Sequence, residues 1–144
     1  MRKLIPICIL LHSYTDGASA ITTTVRNRIA RKGFLALVPN MRGRSSNPGT
    51  PDDSARELQD IVDAVAAVAA NGTINAVADV NKIHVIGYGA GGANAIALAA
   101  KYPGFARTII SLGGFGDYGV DLTGCVLAPA WAAAPLVERG MTAS

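Results

Sequence analysis

Histidine is scarce in this chain. Only His12 and His84 occur among its 144 residues, and none follows position 84. Any imidazole chemistry must therefore come from the first part of the sequence. Cysteine is equally rare: Cys8 and Cys125 are too far apart to give a disulfide framework or a metal-ligand spacing. No metal and no cofactor is expected. Aromatic residues make up 6% and charged residues 16% of the chain, and the net charge is only +3. The densest basic group, Arg26, Arg28, Arg31 and Lys32, meets no aromatic residue until Phe34. It reads as a solvated helix face rather than a nucleic-acid stripe. No apolar run reaches the roughly 18 residues of a membrane span, so neither nucleic acid nor membrane is an expected partner.

What is present is hydrophobic. Half the residues are apolar, enough in a chain of this length to bury the core of one domain. The N-terminus allows two readings. Arg2, Lys3, the run Leu4–Leu11 and Ala18-Ser19-Ala20 have the outline of a secretory leader. However, His12 and Asp16 interrupt that outline, and cleavage would delete a strand the rest of the pattern needs. A buried first strand in a cytoplasmic protein is the expectation.

Along the chain, Leu4–Leu11 suits a strand covered on both faces, and His12–Gly17 a loop. Ala18–Lys32 has helical spacing at Ile21, Val25 and Ile29, with Gly33 as its stop. Phe34–Val38 reads as a second strand, and Met41–Pro51 as a loop rich in Gly, Ser, Asn, Pro and Arg. Asp52, Asp53 and Ser54 offer caps for a helix whose apolar stripe is Leu58, Ile61, Val62, Val65 and Val68, with Glu57 near its positive end. Thr73–Asn81 reads as a connector, Lys82–Gly87 as a third strand, Ala90–Lys101 as a helix and Arg107–Leu112 as a fourth strand. Strands and helices alternate, which implies an α/β fold with a mainly parallel sheet of about four strands in the order 2-1-3-4 and helices on both faces. A ligand site is expected at the carboxyl edge, beside the switch point between strands one and three. Residues 117–144 read as an irregular tail of the same single domain.

Both loops that reach that edge carry candidate chemistry. Gly87-Tyr88-Gly89-Ala90-Gly91 has the outer glycines of a nucleophile elbow, G-x-S-x-G, with Gly89 in the serine position. The same segment fits a dinucleotide fingerprint, Gly87-x-Gly89-x-x-Gly92, in which a pyrophosphate would sit on the helix N-terminus. That fingerprint expects an acidic residue about 20 positions on, and residues 107–114 contain none. Arg42 and Arg44 offer either bidentate anion contacts or solvated loop charges. His12 could serve as a base at the mouth of the site. His84 reads as a satisfied core or edge residue. Cys125 has neither an elbow nor a base near it.

Four blocks together resemble the alpha/beta-hydrolase superfamily, in its prolyl-oligopeptidase-like and dienelactone-hydrolase-like branch. Ile5–Thr15 resembles the strand leading to a His-Gly oxyanion motif, and Gly33–Gly43 the next strand and its Asn-x-Arg-Gly loop. Asp60–Val68 resembles the helix before the elbow, and Val80–Pro103 the elbow strand, the elbow and its helix. The resemblance implies hydrolysis of a small-molecule ester or peptide through an acyl-serine at position 89. The backbone N–H groups of Ala90 and Tyr14 would be the oxyanion donors, each contributing about 3 kcal/mol to the transition state. It also implies that His12 packs the oxyanion loop.

The chain departs from that pattern in three ways. Gly89 stands at the nucleophile position, Ser13 stands where the family usually has glycine, and the family's late acid and histidine have no counterpart here. Asp117 and Asp121 come too early. The expectation is thus a hydrolase scaffold with little or no turnover, whether by natural loss, truncation, frame shift or a deliberate change of the serine. A non-catalytic binding module is the alternative, and the fourth strand offers an open edge for a homodimer.

Overall fold

A computed structural model of the protein describes residues 3–13, 16–51 and 56–114. Tyr14, the caps at 52–54, Cys125, Asp117, Asp121 and the tail lie outside the described residues. Within them the elements run β1 (Ile5–Leu11), α1 (Thr23–Arg31), β2 (Leu35–Leu37), α2 (Arg56–Ala70), α3 (Gly72–Asn75), β3 (Ala78–Tyr88), α4 (Ala90–Lys101) and β4 (Thr108–Leu112). All strand pairings are parallel, in the order β2-β1-β3-β4. That is the expected sheet.

Alternation along β1 explains why it lies at the centre. Ile7, Ile9 and Leu11 face one core, shared with Leu58, Ile61, Val65 and Val68 of α2 and Ala95 and Leu98 of α4. Cys8 and Leu10 face the other core, with Ile21 and, less buried, Val25 and Ile29 beside α1. The helices therefore cover both faces, as β1's unbroken apolar run requires. Ile7, Ile9, Leu10 and Leu11 are each at most 1% exposed, and each such side chain contributes about 1.5–3 kcal/mol. Cys8 is part of this packing. Burial pushes its thiol up to about 11, so it holds almost no thiolate at neutral pH.

Three elements differ from the sequence reading. The first helix does not start at Ala18. Residues Ala18–Ala20 form a separate 3-10 turn, and α1 starts after Thr22, whose side chain accepts from the Val25 N–H at 3.4 Å. The turn is held from elsewhere: the Ala18 N–H donates to Asn40 Oδ1 at 3.1 Å, and Arg26 Nη2 donates to the Ala18 carbonyl at 2.6 Å. The connector after α2 contains a short helix, α3, because Asn71 Oδ1 accepts from the Ile74 N–H and caps it.

The third strand is longer than Lys82–Gly87. It begins at Ala78, pairs with Ile5 and Pro6, and then skips residues 80–82 before Ile7 meets Ile83. The skip falls beside Pro6, which has no N–H to give to a ladder. Asp79 closes the bulge, accepting from the Asn81 N–H at 3.2 Å and from Lys82 Nζ at 2.7 Å. Beyond β3, β4 pairs only with β3 among the described residues, and it exposes Ile110 and Leu112.

Candidate functional site

The order β2-β1-β3-β4 puts the switch point between β1 and β3, and Leu11 lies opposite Gly87 where both strands end. The two segments that leave there are the His12–Ser13 loop and the Gly87–Gly92 turn. This is where sheets of this kind bind ligands.

The turn is built by glycines that cannot be replaced. A Cβ on Gly87 would run into the Gly91 carbonyl. A Cβ on Gly91 would lie 2.5 Å from the Leu11 carbonyl oxygen and 2.6 Å from that of His12. The strand, the turn and the helix thus approach one another backbone to backbone, and α4 packs against the end of β1. Gly89 is different. It sits at the apex with φ +53° and ψ −120°, a conformation that carries strain for any residue with a side chain. Its N–H donates to the Leu112 carbonyl at 2.9 Å, and its carbonyl accepts from the Ala93 N–H at 3.1 Å. The apex is thereby tied to β4 and to the first turn of α4. A Cβ on Gly89 would meet no backbone closer than 4.0 Å, only the side chain of Ser13, with Oγ at 2.5 Å. Ala90 opens α4 and is 4% exposed. Its N–H belongs to the first helical turn, which has no intrahelical acceptor.

His12 is fully buried. Its Nε2 accepts the Met41 N–H at 3.2 Å, so Nδ1 carries the proton and donates to the Ser13 carbonyl at 2.8 Å. Burial holds the ring's pKa below the ordinary histidine value, the nearby Arg44 charge adds to that, and the Ser13 carbonyl and Asp16 oppose it. A neutral ring with both nitrogens committed to the protein positions the loop. It is not poised to accept a proton. His84 lies away from the elbow turn, edge-on to Phe34 with ring centroids 5.3 Å apart.

Neither loop arginine is a solvated charge. Arg42 gives Nε and Nη2 to the two oxygens of Asp60, both at 2.6 Å, which straps the loop to α2. Arg44 is 4% exposed and pairs at 2.9 Å with Glu57, itself fully buried. Asn94 of α4, also fully buried, donates Nδ2 to the same Glu57 at 2.8 Å. This cluster joins the loop, α2 and α4 close behind the elbow, and sequence reasoning missed it. Glu57 read as a helix-end carboxylate, and Asn94 sits in an alanine-rich helix with nothing to mark it. The one available signal was a carboxylate on the apolar side of α2, next to Leu58.

A cavity of about 240 Å³ opens beside the elbow, lined by His12, Ser13, Asp16, Ala20, Ile21, Val25 and Tyr88. Of the expected site residues, the structure brings together Gly87, Gly89, Ala90, Gly91, Gly92 and His12 at one sheet edge. Arg42 is turned to Asp60. β4 contributes no carboxylate to the turn, so the dinucleotide reading gains no partner for a ribose. Among the described residues, no helix is long and apolar enough to cross a membrane.

Comparison with known proteins points the same way. The model of the dienelactone hydrolase family matches residues 6–134. No curated protein matches the chain. Among solved structures, the chain is similar to the esterase Pf2001 of Pyrococcus furiosus, with a TM-score of 0.67 at 19% identity over 95% of this chain and 52% of that one. It is also similar to the alpha/beta hydrolase GrgF of Penicillium sp. sh18, with a TM-score of 0.60 at 20% identity over 74% of this chain and 37% of that one. A lipase-esterase related protein of Clostridium acetobutylicum gives a TM-score of 0.56 at 15% identity, over 96% and 51%. At these identities the likeness is one of fold. The chain spans about half the length of these structures, or less.

Proposed function

The chain belongs to the dienelactone hydrolase family, and from that premise we propose that it is a hydrolase scaffold that binds a small carbonyl ligand at its elbow without turning it over. One observation carries this reading. Position 89 holds the strained apex conformation, φ +53° and ψ −120°, that the turn imposes, and the residue there has no side chain. An acyl-enzyme needs an attacking oxygen or sulfur at that apex, and Gly89 supplies neither. The second support is His12, whose two nitrogens are bonded to the Met41 N–H and the Ser13 carbonyl, so it does not stand in as a base. What persists is the binding half of the machinery: the N-terminus of α4 at Ala90 and an adjoining cavity whose wall combines Ile21 and Val25 with Ser13 and Asp16.

The test is a paired esterase assay. This chain and its Gly89→Ser variant are compared on a short-chain activated ester, with a buffer blank. The wild type is expected to match the blank. An acyl burst or turnover by the variant alone would show a working elbow disabled at one position. Turnover by the wild type, retained when Gly89 is changed to Val, would end the proposal.

A further inference from the structure

Ser13 and Gly89 occupy one piece of space between them. A Cβ on residue 89 would stand 2.5 Å from Ser13 Oγ and 3.3 Å from Ser13 Cβ. The Ser13 hydroxyl therefore lies where a side chain at the apex would emerge. The family resemblance places glycine at position 13 and serine at position 89, and this chain has the two the other way round. A side chain on both would collide unless Ser13 rotated away. The exchange keeps one hydroxyl within 2.5 Å of where a Cβ at the apex would stand and hangs it from the β1 loop instead of the elbow.

We propose that Ser13 is the ligand-contacting hydroxyl of this site, and that the cavity it lines takes a small uncharged carbonyl compound, a short amide or ester, in preference to a carboxylate. This rests on the reading of the elbow as a binding site. Ser13 is half-buried and lines the cavity together with Asp16, Ile21 and Val25. Its hydroxyl can donate to a carbonyl oxygen and accept from an amide N–H. The His12 nitrogens are already spent on the protein, so they do not compete for the ligand. Asp16 puts a negative charge on the same wall, which repels a carboxylate and accepts an N–H. Ile21 and Val25 favour a short branched or straight apolar group. The volume of about 240 Å³ lies below the roughly 300–1,000 Å³ of sites for drug-sized ligands, so the ligand is small. No bond is made or broken, because no described base reaches the hydroxyl.

The test is an NMR titration with two nearly isosteric probes, isobutyramide and isobutyrate. It uses the full chain and the variants Ser13→Gly, Gly89→Ser, Ser13→Gly/Gly89→Ser and Asp16→Asn, each first shown to be folded by its amide spectrum. Wild type is expected to bind the amide saturably and the carboxylate at least about tenfold more weakly. Ser13→Gly should weaken the amide about fivefold, the usual loss of one neutral hydrogen bond. Gly89→Ser should weaken it too, because two side chains then crowd the space that one hydroxyl now fills. The double variant should recover binding, since one hydroxyl returns to the same space. Asp16→Asn should remove the preference against isobutyrate. A folded Ser13→Gly protein that binds the amide as tightly as wild type would overturn the role of Ser13. Equal binding of the two probes by wild type would overturn the ligand class. Binding of neither probe by wild type would sink both this inference and the binding reading. Ester turnover by wild type that is retained in Gly89→Val would sink the proposed function alone and leave the Ser13 contact standing.

Discussion

Gly87 and Gly91 stand where not even a methyl group fits, while Gly89, between them, has open backbone around it and only one flexible hydroxyl to displace. The floor of the elbow and its apex are thus under different constraints. The floor is a place where β3, α4 and the end of β1 touch backbone to backbone, so its glycines belong to the fold. The apex is free of those backbone contacts, and glycine stands there at positive φ. The turn forms with glycine at its apex. Its strained φ and ψ are held by the bonds from Gly89 to Leu112 and Ala93, and a glycine takes up that conformation at less cost than serine would.

The comparison can be broken from the side of the floor. Behind it, Arg44, Glu57 and Asn94 form the buried cluster that fixes α4 against α2 and the loop. Arg44→Ala removes the cation paired with a fully buried carboxylate that keeps the Asn94 amide as a donor, and a loss of about 3 kcal/mol is expected in urea unfolding. A midpoint unchanged from wild type would show that the cluster does not hold the elbow. Gly87→Ala, one methyl group against a backbone carbonyl, should cost about 3 kcal/mol, the upper end for overpacking, or prevent folding altogether. At the apex, Gly89→Ser should cost less, about 1–2 kcal/mol for a side chain at positive φ. Ser13→Gly should recover part of that loss by clearing the shared space, which a double-mutant cycle in the same unfolding assay would detect. Equal costs at positions 87 and 89 would erase the distinction between floor and apex.

The smallest effect is on pH dependence. Burial keeps the His12 ring neutral in the folded state, with a pKa below its ordinary value, so the unfolded chain takes up the proton first. The stability that His12 provides is complete above that ordinary value and is lost as the pH falls through it toward the folded pKa. The Tm should be lower at about pH 5.5 than at about pH 7.5. In His12→Gln, which keeps a donor and an acceptor but does not titrate, the slope should flatten. An identical slope would place the pH dependence elsewhere.

The sheet order was legible in the sequence because β1 is apolar at every position from Ile7 to Leu11, and only a strand with helices on both faces buries such a run. Helix α4 was legible at both ends, between the elbow glycines and Tyr102-Pro103-Gly104. The start of α1 was not. Thr22 caps it locally, but the 3-10 turn before it depends on Asn40 and Arg26, which approach only in the folded chain. The bulge in β3 was hidden for a similar reason: it answers Pro6 on the neighbouring strand. At the site, Gly87, Gly89 and Gly91 announced a turn through their spacing. Glu57, Asn94 and the ties of Arg42 and Arg44 did not show, because an ion pair between segments has no spacing along the chain.

The sequence by itself determined the alternation of strands and helices, the central place of β1 and the lack of a side chain at position 89. All three follow from which side chains are present and how they repeat along the chain. Tertiary structure alone decided that the floor glycines are sterically required and the apex glycine is not, that His12 is a neutral strut, and that Ser13 fills the space its neighbour across the site leaves empty. Apart from the local clash of Gly87 with Gly91, those facts depend on distances between distant segments, Met41 to His12, Gly89 to Ser13 and Gly91 to Leu11, and only packing brings them within reach of one another.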